Sequence, residues 1–71
     1  MTKTEIIKRL QQTTGKTFLN ISDVAKVMGQ GRDNIRNMLK GVDYYQEKEN
    51  GRKLYFVNDI AERIMQNRYV D

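Results

Sequence analysis

The stretch VAKVMGQGRDNIRNML, residues 24–39, carries two glycines two positions apart inside an otherwise helical apolar rhythm. Glycine is the residue that most readily takes left-handed backbone angles, and it weakens a helix interior. Gly29 and Gly31 therefore mark one helix ending and another starting almost at once. A chain that restarts a helix within three residues has to pack two short helices across each other, joined by a sharp turn.

The remaining composition narrows what such a pair can belong to. With 71 residues the chain is read as one small domain, 1–71, whose core supplies only a few kcal/mol net. There is no Cys and no His, which excludes a disulfide framework, a thiolate–imidazole zinc site and Cys–His or Ser–His nucleophilic machinery. The carboxylates are scattered, with no pair on one face beside a cleft-like apolar segment. No catalytic residue, metal or cofactor is expected, and the chain is not read as an enzyme. No apolar run approaches the ~18 residues that span a bilayer, and MTKTEIIKRLQQ lacks the apolar core of a signal peptide. The expectation is a cytoplasmic protein with no membrane partner. Lys and Arg number 13 against 9 Asp and Glu, a net charge of +4. Two readings of that surplus stay open from composition alone: a soluble basic surface without a ligand, or a surface that attracts polyanions.

Along the chain there is no proline, repeat or low-complexity tract. The first helix is expected from about Lys3 to Gln12. Thr2 and Glu5 have capping-box spacing, and Ile6, Ile7 and Leu10 form one apolar stripe. Thr13-Thr14-Gly15 ends it. Phe18 and Leu19 are expected in the core, in a short extended segment. Asn20 and Asp23 form a second capping box for a helix over about Ile21 to Met28, with Ile21, Val24, Ala25 and Met28 inward. Gly29 caps its C-terminus, Gln30 spans the turn and Gly31 is an acceptable N-cap. The third helix covers about Arg32 to Lys40, with Ile35, Met38 and Leu39 inward, and Gly41 stops it. From Tyr44 to Val57 the period changes to aromatic and β-branched runs around Asn50-Gly51, the strongest short signal for a two-residue type I′ hairpin. Asn58 is expected to cap a last helix, about Asp59 to Asn67, with Ile60, Ile64 and Met65 inward.

Helices crossing steeply need a small residue at the contact and a glycine at the turn. Ala25 and Gly29 suit those roles, and Ile35 suits the apolar plug between the two helices. Ala, Gly four later and Ile ten later is the spacing of the helix-turn-helix family, which this segment resembles. Gln30 departs from the apolar residue usual after the glycine, and Gly31 from the usual Ser or Thr cap. An ordinary helical hairpin with a glycine turn is the competing reading. Against it stands the outer face of the third helix. Placing Ile35, Met38 and Leu39 inward puts Asp33, Arg36, Asn37 and Lys40 outward, flanked by Arg32 and Asn34. Arg and Asn pair bidentately with guanine and adenine edges in the major groove. Asp33 has three open roles: favouring the helix N-terminus, accepting from a cytosine amino group, or repelling phosphate.

A two-residue turn at Asn50-Gly51 pairs Glu49 with Arg52, Lys48 with Lys53, Glu47 with Leu54 and Tyr45 with Phe56. It sends Tyr45, Leu54 and Phe56 inward and Gln46, Lys48, Lys53 and Tyr55 outward. Opposed lysines weaken a hairpin unless an anion sits near both; splaying into water is the alternative. A basic tip of Lys48, Asn50, Gly51, Arg52 and Lys53 reads as a wing touching DNA backbone or minor groove.

From Phe18 to about Met65, two thirds of the chain, the sequence resembles the winged helix-turn-helix domains of phage and conjugative-transposon excisionases. It is also similar to the DNA-binding domain of MerR-type regulators. FLNISDVAKVMG, the helix starting at Arg32, GRKLYFV and NDIAERI carry the resemblance. The fold it implies is α+β and mostly helical, a winged helix-turn-helix with a two-stranded hairpin wing and an extra N-terminal helix. The function it implies is a sequence-specific double-stranded DNA-binding architectural factor that bends an attachment region and assists an integrase, which performs the strand chemistry. Neighbouring copies on DNA would touch through Lys8, Arg9, Glu62 and Arg63. MerR-type regulators continue into a long dimerisation helix, so a chain ending at Asp71 favours the excisionase side. A small transcriptional regulator of the same fold is the first alternative. A protein-binding module using the N-terminal helix is the second.

Overall fold

The computed structural model describes residues 2–67. They form a mostly helical α+β domain with four helices and a two-stranded antiparallel sheet, in the order α1 (Lys3–Thr14), β1 (Phe18–Leu19), α2 (Ile21–Met28), α3 (Arg32–Met38), β2 (Tyr55–Phe56), α4 (Val57–Gln66). Among these residues no helix is long and apolar enough to cross a membrane.

Local chemistry sets most of the helix ends. Both capping boxes form: Thr2 with Glu5 opens α1, and Asn20 with Asp23 opens α2. The Thr14 hydroxyl donates to the Leu10 carbonyl at 2.7 Å, and α1 runs two residues beyond Gln12 before Gly15 turns left-handed. At the end of α2, Gly29 sits at φ 66°, and the N–H groups of Gly29 and Gln30 both donate to the Ala25 carbonyl. These bonds take up carbonyl capacity a helix end leaves open. Gly31 adopts extended angles and starts α3 without a side-chain cap.

The core is continuous. Leu10, Leu19, Val24, Ile35, Leu39, Val57, Ile60 and Ala61 are buried, with Ile6, Ala25 and Tyr55 close behind. α1 packs chiefly on α4, and α2 on α3, with Ile35 of α3 fully buried and Ala25 of α2 buried in the same core. Four expectations need correction here. First, α3 stops at Met38 rather than Lys40. Leu39 takes the C-cap position, and Lys40 lies in the turn before Gly41, at φ 82°. Second, α4 starts at Val57, and Asn58 lies inside it instead of capping it. The Val57 N–H donates to the Thr17 carbonyl at 2.9 Å, so the start is held by backbone while the Val57 side chain is buried.

Third, the expected hairpin register does not form. β2 pairs with β1, Phe18 opposite Phe56 and Leu19 opposite Tyr55. Tyr45 meets Leu54 in a single bridge, not Phe56, and residues 46–53 make a loop. The turn runs from Lys48 to Gly51, whose N–H donates to the Lys48 carbonyl at 2.9 Å, while the Gln46 amide donates to the Gly51 carbonyl at 2.7 Å. Neither Asn50 nor Gly51 has positive φ, so the turn is not type I′. What Gly51 supplies is space: a Cβ there would lie 3.2 Å from the Lys48 carbonyl oxygen. Fourth, the faces exchange in part: Tyr55 and Tyr45 change sides, while Leu54 and Phe56 stay half-buried, Phe56 against the core. Successive strand residues point to opposite sides, and Leu19 draws Tyr55 inward. Phe18, at 42% exposure, and Tyr45, at 61%, turn outward, packed edge-to-face with ring centroids 5.4 Å apart.

Candidate nucleic-acid interface

With Ile35 and Leu39 anchored in the core, α3 turns Arg32, Asp33, Asn34, Arg36 and Asn37 to solvent. Lys40 is exposed in the turn that follows. The chain then passes Tyr44, loops through residues 46–53 and returns to β2. This path lays the loop's C-terminal limb against the open side of α3. Between them is a groove of about 650 Å³ lined by Arg32, Arg36 and Lys40 on one wall and Arg52 and Lys53 on the other. No carboxylate lines it among the described residues. Asn20, Ile21 and Ser22, at the start of α2, lie along the same groove.

Aromatic rings shape its loop wall. The Lys53 ammonium sits 4.7 Å from the Tyr44 ring centroid, a cation–π contact, and Tyr44 lies 6.0 Å from Tyr55. Burial pushes the Tyr55 phenol above its ordinary value near 10, and adjacent Tyr44 adds to the rise, so Tyr55 stays neutral at physiological pH. Lys53 is thereby held beside Tyr44 rather than opposite Lys48.

The groove brings together five of the eleven residues expected in the interface. Asp33 and Asn34 lie outside it, in a shallow depression with Gly31 that Arg32 and Arg36 also border. Asn37 is exposed but lines neither hollow. Lys48, Asn50 and Gly51 form the far turn of the loop and also lie off the groove. Tyr44 was not among the expected site residues; its place beside a cationic strand was the only available signal. Among the described residues no cluster of three or more potential metal ligands occurs.

One positioning contact has no sequence signal at all. Arg63 of α4 reaches across to the end of α3, where Nη1 donates to the Met38 carbonyl at 2.8 Å and the Lys40 carbonyl at 2.6 Å. A cation here satisfies open carbonyls and complements the helix dipole. It also fixes the turn that carries Lys40. Arg63 is therefore engaged within the fold rather than free for a neighbouring copy, and Glu62 pairs with Lys3 at 3.1 Å. Lys8 and Arg9 remain exposed. Arg63→Met should lower stability by about 1–3 kcal/mol, the scale of lost charge-assisted hydrogen bonds. Chemical denaturation checks it; an unchanged midpoint would mean that α3 does not rely on this contact.

Comparison with protein-family models, with curated proteins and with solved structures gives no match.

Proposed function

We propose that this chain is a winged helix-turn-helix protein that binds double-stranded DNA, with α3 in the major groove and the 44–53 loop as its wing. We further propose that it works in the cytoplasm as an excisionase, an accessory factor that bends attachment-site DNA for an integrase and performs no chemistry itself. The observation that carries the reading is the shared groove: Arg32, Arg36 and Lys40 face Arg52 and Lys53 with no intervening carboxylate. Two elements far apart in sequence converge their cations on one channel, as a polyanionic backbone requires. A solvated surface needs no such convergence. Beside the channel, the exposed tip of α3 carries Arg and Asn side chains of the kind that read base edges.

The functional test is recombination in vitro, with an integrase encoded beside this chain and DNA containing its attachment sites. Excision should depend on added protein and integration should not. Excision that runs equally well without it would rule out the excisionase role and leave a transcriptional regulator of the same fold. Absence of duplex binding under any salt condition would remove both.

A further inference from the structure

Asp33 is the one acidic residue within α3, and its carboxylate Oδ1 lies 2.8 Å from Nη1 of Arg36. The Asp33 side chain is 95% exposed and that of Arg36 58% exposed. The other ion pairs among the described residues, Lys3–Glu62 and Lys16–Asp23, contribute no residue to the lining of the basic groove. An exposed pair of this kind adds little to folding. On a surface otherwise arranged to attract phosphate, an acid is also a cost to binding. Its place calls for a role beyond stability.

Resting on the DNA-binding reading, we infer that Asp33 is a specificity-determining residue that acts through Arg36. Two physical effects combine. The carboxylate occupies one N–H of the guanidinium and limits the directions the side chain samples, while the remaining donors stay free for the paired acceptors of a guanine edge. The same carboxylate cancels the charge that Arg36 would offer to any backbone phosphate. A phosphate must approach against Asp33; a neutral base edge meets far less repulsion. The pair therefore weakens sequence-independent attachment more than base reading. Of the three roles open from sequence, repulsion of phosphate is retained and gains a purpose. A contact residue loses affinity when removed, whereas removal of Asp33 strengthens binding to random DNA and blurs discrimination.

The test uses the full chain and a preferred duplex selected from a randomised pool with the unaltered protein. Asp33→Asn, Arg36→Gln and the double variant are then compared on that duplex and on random duplex across a salt series, with thermal melts to verify folding. Asp33→Asn should bind random duplex roughly 3- to 10-fold tighter at low salt, with a log–log salt slope steeper by about one. Its ratio of selected to random affinity should fall about fivefold or more, the lower end of one bidentate base contact. In the Arg36→Gln background, Asp33→Asn should change that ratio no further. An unchanged ratio in Asp33→Asn, or full additivity in the double variant, overturns the inference while leaving DNA binding intact. An unaltered protein that binds no duplex overturns both.

Discussion

Ile35→Ala should leave most of the chain unfolded at 37 °C. Ile35 is fully buried on α3, the helix that packs against α2, and no solvent reaches its side chain to refill a truncated site. Removing a buried Ile down to Ala costs about 2–5 kcal/mol, the transfer of the lost methyl and methylene groups plus the cavity left behind. A core of this size has only about 3–5 kcal/mol to lose. The site cannot collapse easily, because Gly29 fixes the turn on one side and Arg63 holds the end of α3 on the other. At roughly 4–8 °C per kcal/mol for so small a domain, the melting midpoint should fall by about 8–40 °C. Ile35→Val, which keeps the branch, should cost only about 0.5–1.5 kcal/mol. Thermal melts followed by circular dichroism distinguish the two. A cooperative Ile35→Ala transition within a few degrees of the unaltered chain would mean that the α2–α3 crossing does not depend on this plug.

The end of α2 and the start of α3 were legible because their signals are local. Gly29 needs positive φ, and each capping box links residues three apart, so sequence neighbours decide these features whatever the rest of the chain does. The α+β class and the four helices follow from the same kind of signal. The loop was not legible because its arrangement is decided from a distance. Asn50-Gly51 favours a type I′ hairpin, but Leu19 draws Tyr55 inward from 36 positions away in sequence, and the preference of a single dipeptide is the weaker influence. Strands two residues long have no alternation from which to read a register. The start of α4 shifted for a related reason: Val57 is buried, so the helix begins where the core takes its side chain, ahead of Asn58. In the candidate site, α3's exposed face followed from the positions of Ile35 and Leu39. The convergence of Arg52 and Lys53 on Arg32, Arg36 and Lys40 needed the loop's path, and Arg63's reach to the Met38 and Lys40 carbonyls needed the packing of α4.

The convergence sets a quantitative expectation for duplex binding. Five cations line the groove, and Asp33 offsets the charge of one, Arg36. Four to five phosphates neutralised gives a slope of about −4 in log affinity against log salt, since each releases about 0.9 counterion from B-DNA. Affinity should therefore drop roughly 150- to 500-fold between about 50 and 200 mM salt. Replacing Arg52 and Lys53 together by Gln should reduce the slope by about two, one phosphate for each cation removed from the loop wall. Both are exposed, so the fold should persist. Lys48 provides the contrast. It sits in the far turn, bonded through its carbonyl to Gly51 and away from the groove, so Lys48→Gln should leave the slope nearly unchanged. Net charge alone would make Lys48 equivalent to Lys53; the groove makes them different. Fluorescence polarisation of a labelled duplex across a salt series reads all three proteins. A loss of slope of about one in Lys48→Gln, the same per charge removed as in the double variant, would show attraction by total charge and no defined channel, and a slope near zero for the unaltered chain would sink phosphate contact as the basis of binding.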